Sequence, residues 1–160
     1  MFNNALKIAA AGLLSVAMFH AHAQQDAPTP EELAQSATET RQGLFKLLSY
    51  NMGPINGMAR NTVEFDAEMA ERNARRVAAL APMIPELFSV NDTRNFPVAT
   101  QAEPTIWDNM DDFRQKAVDL EEAALTFADV AAGGNRNQTI AAIRAFGATC
   151  GNCHRPYRDN

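Results

Sequence analysis

Hydrophobic residues recur at intervals of three and four along most of the chain. The interval holds from residue 33 to 47, from 70 to 84, from 106 to 131 and from 140 to 157. This spacing is typical of amphipathic helices that bury one face. Glycine, proline or stretches without any period separate these segments. The pattern therefore predicts four helices.

The sequence Thr29-Pro30-Glu31-Glu32 predicts the start of the first helix, because it can form a capping box with proline at the first helical position. The helix runs to about Asn51, and Gly53-Pro54 would kink it if it continues. Its expected buried stripe consists of Leu33, Ala37, Thr40, Leu44 and Leu47.

The second helix is expected to start near Asp66, and Pro82 and Pro85 interrupt it near its end. Its apolar stripe consists of Ala70, Ala74, Val77, Ala81 and Ile84. The segment from Ser89 to Pro104 has no period and is predicted to be a loop.

Pro104 opens the third predicted helix, which ends at Gly133-Gly134. Its stripe consists of Ile106, Met110, Phe113, Ala117, Leu120, Ala124, Phe127 and Ala131. The fourth helix begins near Asn137 and carries on one face Ile140, Ile143, Gly147, Cys150, His154 and Tyr157.

Four amphipathic helices joined mostly by short links predict an all-α fold, an antiparallel four-helix bundle. A coiled-coil oligomer of long helices is the alternative, and the helix breakers disfavour it. A chain of 160 residues is long enough for one domain with a buried core. Its formal net charge of −5 argues against electrostatic binding to nucleic acid or anionic lipid.

The N-terminal segment has the pattern of a secretory signal peptide. Lys7 precedes an apolar run over residues 8–19, and Ala21-His22-Ala23 forms an A-x-A cleavage site. We expect cleavage after Ala23, which leaves a mature domain over residues 24–160 with a net charge near −6 and no membrane anchor. The alternative is a short buried helix. Cleavage would also leave the mature chain with a single histidine.

Near the C-terminus, residues 150–154 read Cys-Gly-Asn-Cys-His, the pattern of covalent attachment of c-type haem. Thiols at positions i and i+3 share a helical face, so both can add to the vinyl groups of one porphyrin. His154, four residues after Cys150, can then ligate the iron. Gly147, one turn earlier, leaves room for the ring. One motif predicts one haem c per chain.

Other uses of these residues are less favourable. A redox Cys-x-x-Cys pair usually opens a helix after a strand, whereas this pair closes a helix. A disulfide between Cys150 and Cys153 would be strained by helical geometry, and structural zinc needs a fourth ligand. A Ser-His-Asp triad would have to use His154, so we expect a protein that is not an enzyme.

The mature chain resembles the cytochrome c′ family, four-helix-bundle cytochromes with haem near the C-terminus. Residues 41–45 (RQGLF) resemble the family's Arg-Gln segment and the distal residue that follows it. Residues 104–107 (PTIW) resemble the Pro-x-Ile-Trp that opens the third helix. Residues 150–158 (CGNCHRPYR) match the attachment motif, the iron ligand, a tyrosine and a basic residue.

On the proximal side, the resemblance implies that Cys150 and Cys153 hold the haem and that His154 ligates its iron. Arg158, one turn later, would flank the proximal face.

On the distal side, the resemblance implies that Arg41 and Gln42 meet the haem propionates and that Phe45 covers the iron. Gln101 would offer a polar group to the haem.

The sixth iron position separates two functions. No methionine occurs between Met18 and Met52, and Met52 lies two turns, about 10 Å, beyond Phe45. Lys46 is expected to point to another face. We therefore expect an open, apolar distal side and five-coordinate iron.

The family resemblance implies a high-spin, periplasmic protein that binds nitric oxide (NO) and carbon monoxide (CO). A periplasmic electron carrier with a redox partner is the alternative. The resemblance also implies a homodimer, for which the first helix offers Leu44, Leu47, Leu48 and Met52 as apolar surface.

Overall fold

The structure, a computed structural model, describes residues 27–159 and is helical. Its helices are α1 (Pro30–Ala59), α2 (Ala67–Leu80), α3 (Met83–Val90), α4 (Thr105–Asp108), α5 (Met110–Ala132) and α6 (Arg136–Tyr157). In this range no strand forms, and a lone β-bridge joins Ala102 to Arg158. Because α2 continues into α3 and α4 into α5, the predicted four-helix bundle is confirmed. The predicted signal peptide lies outside the described residues.

The predicted start of α1 is confirmed by both hydrogen bonds of a capping box. The Glu32 amide donates to Thr29 Oγ1 at 3.2 Å, and the Thr29 amide donates to Glu32 Oε2 at 2.8 Å. The helix continues through Pro54 to Ala59. Ile55 and Met58, which are 0% and 2% exposed, anchor this last part in the core, so their burial compensates for the hydrogen bond that proline removes.

The buried face of α1 differs from the predicted stripe. Leu33 and Leu47 are 47% and 52% exposed. The buried residues include Ala34, Thr38, Arg41, Leu44, Leu48, Asn51, Ile55 and Met58. The prediction was wrong because Thr38, Arg41 and Asn51 are polar, and a search for apolar spacing does not select buried polar residues.

The predicted apolar stripes of the second and third helices do form the core. α2 packs along α5, α5 packs along α6, and α1 packs on α2, whereas α1 and α6 touch each other little. The buried residues from these stripes are Ala70, Ala74, Val77, Ala81, Ile84, Ile106, Phe113, Ala117, Ala124, Phe127 and Ala131.

The third predicted helix is interrupted at Asn109, whose φ of −128° and ψ of 43° are not helical. The Asn109 amide and side chain both donate to the Thr105 carbonyl, at 3.0 and 3.2 Å, which closes the short helix α4. Residues 91–104 form the predicted loop. Among residues 27–159, none of the helices combines the length and apolar character needed to cross a membrane.

The buried guanidinium of Arg41 joins α1 to the end of α3 and the loop that follows. Its Nε and Nη2 donate to the Leu87 carbonyl at 3.1 and 3.0 Å, and its Nη1 donates to Thr93 Oγ1 at 3.0 Å. Nη2 also donates to the Asn91 carbonyl. Cζ lies 4.5 Å from the centroid of the Phe88 ring. Burial lowers the pKa of Arg41, and the charge of Asp92 opposes this effect.

Trp107 of α4 binds the end of α3 and contacts the loop that follows it. Its Nε1 donates to the Phe88 carbonyl at 3.0 Å, and its ring lies between the guanidinium groups of Arg41 and Arg94, at 5.6 and 5.7 Å. Arg94 in turn pairs with Asp92 and Asp108. Trp107 therefore links α4 to the end of α3.

Replacing Arg41 by methionine should strongly destabilise the fold, because it keeps an unbranched side chain but leaves the acceptors at Leu87, Asn91 and Thr93 without their donor. We expect the free energy of unfolding of the intact mature protein to fall by at least about 2 kcal/mol. Chemical denaturation measures it. Arg75→Met is the matched control, because Arg75 is 47% exposed and pairs with Glu71 and Asp129 on the surface. Its loss should stay below about 1 kcal/mol, and equal losses would contradict the anchoring role of Arg41.

Candidate functional site

A cavity of about 580 Å³ lies between α1, α5 and α6, with residues 100–102 in its wall. Cavities of roughly 300–1,000 Å³ are typical of small-molecule and cofactor sites. The structure brings together in this wall all the site residues proposed from the sequence, namely Arg41, Gln42, Phe45, Gln101, Cys150, Cys153, His154 and Arg158.

Cys150, Cys153 and His154 reach the cavity because they lie on one face of α6. Both cysteines are half-buried and are not joined to each other. Burial raises the pKa of Cys150, and burial together with the Cys150 charge raises the pKa of Cys153 to about 11. These shifts are opposite in direction to those of redox and metal-binding thiols, whose pKa values are usually lowered.

The environment of His154 favours its neutral imidazole. Desolvation lowers the pKa of His154, and the nearby positive charge of Arg158 lowers it further. A neutral imidazole is the form that ligates metals. The Arg158 amide donates to the His154 carbonyl at 3.0 Å, which ends α6 one turn after the predicted ligand.

Gln101 reaches the cavity because the loop before α4 pairs with the end of α6. The Asp159 amide donates to the Gln101 carbonyl at 2.8 Å, and the Glu103 amide donates to the Tyr157 carbonyl at 3.1 Å. These bonds place Gln101 beside Arg158 at the rim. The proposed contact of Gln101 with a haem stays a prediction.

The two polar residues proposed on α1 are largely engaged by the protein. Gln42 Nε2 donates to the Ala99 carbonyl at 2.9 Å. Four bonds from Arg41 go to the end of α3 and the loop that follows, and a guanidinium has five N–H donors. One N–H of Nη1 therefore remains available for a propionate, and the proposed role of Arg41 toward that group stays a prediction.

Phe45 lies in the part of the cavity wall that α1 provides, and its ring packs edge-on against Phe88 at a centroid distance of 6.4 Å. Its neighbours in this wall are both apolar and polar: Thr38, Gln42, Lys46, Leu48, Ser49 and Met52. The expectation that Lys46 points to another face was wrong, because a long lysine side chain can turn its apolar stem toward a cavity.

The cavity wall carries an excess of positive charge. Arg41, Lys46, Lys116 and Arg158 line it, whereas none of its described lining residues is Asp or Glu. The whole chain has a net charge of −5. Lys116 is paired with Asp112, and the other cations of the wall suit a group with negative charges. Sequence reasoning missed Lys116, because it lies within the acidic α5 and only packing shows which face it occupies.

These residues fit a c-type haem. The two thiols can hold the vinyl edge, His154 can ligate the iron, and the cations can neutralise carboxylates. Apolar side chains, among them Phe88, Phe113 and Leu120, line the remaining wall. A Cβ added at Gly147 would meet no protein atom within 4 Å, so packing inside the protein does not require glycine there.

Three comparisons with known proteins agree on the family. The family described as Cytochrome C′ matches residues 36–158. Cytochrome c-554 of Cereibacter sphaeroides is 40% identical over 121 residues, which cover 75% of this chain and 90% of that protein. The cytochrome c′ structure from Thermochromatium tepidum is 32% identical with a TM-score of 0.69 and covers 83% of this chain and 98% of that one.

Structures with bound gases share the fold. Variants of cytochrome c prime from Alcaligenes xylosoxidans in complex with NO and with CO are 22% and 23% identical to this chain, both with TM-scores of 0.67. They cover 79% and 82% of this chain and 97% and 98% of their own. The chain belongs to the cytochrome c′ family, whose members carry one covalently bound haem c, and Cys150 and Cys153 near its C-terminus fit haem attachment.

Proposed function

We propose that the chain is a periplasmic haem protein that binds NO and CO at a five-coordinate iron ligated by His154, with nitric oxide binding or protection as its role. The observation that carries the proposal is Phe45, a phenyl ring in the α1 wall of the cavity whose α6 wall holds His154. A phenyl ring cannot ligate iron. Bound haem supplies an iron that can take up a diatomic gas or exchange one electron.

Phe45 acts as a lid that a ligand must displace. Its ring packs against Phe88, and the residue is 37% exposed. Moving the ring costs packing energy, because aromatic pairs contribute about 0.5–1.5 kcal/mol beyond their buried area. Small neutral gases need the least movement, so the lid disfavours larger ligands such as azide.

The polar side chains near Phe45 support selectivity against dioxygen. Bound dioxygen is stabilised by a hydrogen-bond donor, so its binding depends on whether these side chains have free donors. Thr38 Oγ1 donates to the Ala34 carbonyl at 2.9 Å, and Gln42 donates to the Ala99 carbonyl. Lys46 and Ser49 are exposed. The Thr38 hydroxyl and one N–H of Gln42 are thus engaged by the protein, which supports the proposed preference for NO and CO over dioxygen.

Electron transfer is the second candidate function, and Met52 favours it. This residue is half-buried in the cavity wall, and thioethers are iron ligands in electron-carrying cytochromes. Its position two turns beyond Phe45 argues against ligation.

Export and the absence of catalysis are parts of the same proposal. The leader pattern over residues 1–23 directs the chain to the periplasm, where thioether attachment can take place. The lone histidine of the mature chain lies at the cavity as the proposed iron ligand, so no histidine remains for acid–base catalysis.

A homodimer is proposed through the exposed face of α1, although the residues that support it differ from those expected. Leu44 and Leu48 are buried, and Met52 lines the cavity. The exposed apolar residues of α1 that do not line the cavity are instead Leu33, Leu47 and Tyr50.

Gly43 supports this interface. A Cβ at Gly43 would meet no atom within 4 Å, so its own chain does not require glycine there. Glycine inside a helix costs roughly 0.5–1 kcal/mol relative to alanine, and close approach of a second α1 would explain it.

Phe45→Ala should speed the association of CO with the ferrous protein by about tenfold, the factor equivalent to about 1.4 kcal/mol of lid packing. Stopped-flow or flash photolysis measures the rate, with Leu125→Ala on the exposed side of α5 as the control. Unchanged kinetics in Phe45→Ala would rule out the lid. A low-spin wild-type ferric spectrum with a sulfur-to-iron charge-transfer band would favour Met52 ligation and electron transfer.

Leu47→Glu should convert the dimer to a monomer, because it places a charge in the proposed interface. Light scattering at micromolar concentration measures the mass of both forms. Leu125→Glu makes the same change on α5 at a site of similar exposure and should leave the dimer intact. A wild-type protein that is monomeric at this concentration would overturn the proposal.

Mass spectrometry of protein isolated from the periplasm should show the chain from Gln24 plus one haem that resists acid-acetone extraction. Cys150→Ala together with Cys153→Ala should abolish this covalent mass, because both thioether bonds are lost. Haem that extracts from the wild type, or a mass that includes residues 1–23, would contradict this prediction.

A further inference from the structure

Tyr157, in the last turn of α6, makes a short hydrogen bond to α5. Its hydroxyl donates to Asp112 Oδ2 at 2.6 Å, and Tyr157 is 5% exposed. Lys116, one turn along α5, forms an ion pair with Asp112, and its Nζ lies 3.1 Å from Asp112 Oδ1. Bonds from a hydroxyl to a carboxylate are short and stronger than neutral ones. Phe113 fixes the tyrosine ring edge-on at 5.2 Å.

The proton in this bond belongs to the tyrosine. The hydrogen bond from Tyr157 lowers the pKa of Asp112, with the Lys116 bond adding to the effect. Desolvation, followed by the Asp112 hydrogen bond, raises the pKa of Tyr157 to about 12. The lowered pKa of Asp112 and the raised pKa of Tyr157 both correspond to a neutral phenol that donates to an ionised carboxylate. The Asp112 side chain is 51% exposed, so water reaches its outer side.

The backbone of the same turn is bound by a second segment, residues 103–105. The Tyr157 carbonyl accepts from the Glu103 amide at 3.1 Å, and the Pro156 carbonyl accepts from Thr105 Oγ1 at 3.0 Å. Pro156 has no N–H, so this turn lacks one of its own helical hydrogen bonds. External bonds therefore determine where the turn that follows His154 lies.

We propose that Tyr157 and Asp112 form a clamp that positions the His154 imidazole relative to the iron. The proposal rests on the proposed function, in which His154 is the single protein ligand. An iron held by one imidazole depends on the orientation of that ring, and this orientation follows the last turn of α6. The Tyr157 side chain binds α5, while Glu103 and Thr105 bind the backbone of this turn. Tyr157 and Asp112 are positioning residues that need not touch the iron.

The test compares Tyr157→Phe and Asp112→Asn with the wild-type haem protein. The first change removes only the hydroxyl and keeps the ring, and the second keeps an acceptor but removes the charge. Asp111→Asn is the matched control, because it makes the same change one position away on a fully exposed side chain that pairs with Arg114. Resonance Raman spectra of the ferrous proteins record the iron–imidazole stretching band, and hydrogen exchange records the amides of residues 157–159 and Glu103.

We expect the iron–imidazole band to broaden and shift in Tyr157→Phe and Asp112→Asn, while Asp111→Asn matches the wild type. The amides of this region should exchange at least about tenfold faster, as the loss of one hydrogen bond to a charged group predicts. Faster exchange with an unchanged band would show a structural bond without a positioning role and would overturn the proposal.

Unchanged exchange in both variants would also reject the clamp. A six-coordinate wild-type iron would defeat the proposed function, and it would be visible in the wild-type and control spectra. Hydrogen exchange would still test the clamp in that case, because amide exchange does not depend on the sixth ligand. Two chemically different variants keep the test decisive if one of them fails to fold.

Discussion

The opening between α1 and α6 is the constraint on which the rest of this structure depends. Three helix pairs close against each other, and this pair leaves a cavity of about 580 Å³. Much of the exposed wall of this cavity is apolar, so a group that fills the cavity and bonds to its wall would remove apolar surface from water and stabilise the fold.

Keeping the cavity open requires bonds elsewhere. The Arg41 guanidinium fixes the loop after α3 beside α1, and Trp107 binds the same loop from α4. The loop before α4 is then paired with the end of α6. These polar contacts hold the rim in place where apolar packing is missing. They also bring the two walls that carry Phe45 and His154 into one continuous framework.

A few side chains within this framework distinguish gas binding from electron transfer. A phenyl ring in the α1 wall favours the proposed gas binding, because a phenyl ring cannot serve as a second protein ligand to iron. The cations of the wall suit a carboxylate-bearing group and say nothing about which reaction follows. Met52 in the same wall keeps electron transfer as the competing function. The sixth ligand of the iron thus decides between two functions that share every other feature of the site.

The sequence by itself determined the bundle and the attachment turn. Apolar spacing identified the buried faces of α2 and α5, and the capping residues identified the start of α1, because these signals are local. The i, i+3, i+4 spacing of Cys150, Cys153 and His154 placed them on one face of α6 for the same reason. Arg41, Gln42, Phe45, Gln101 and Arg158 came from resemblance, and the cavity does bring them together.

Only the tertiary structure decided which polar residues are buried and which charges face the cavity. The buried face of α1 contains Arg41 because its hydrogen-bond acceptors lie about 50 residues away on another element. Lys46, Lys116 and the bond between Tyr157 and Asp112 carried no local signal. Burial of a polar group depends on partners that packing supplies, and sequence periodicity contains no information about such distant partners.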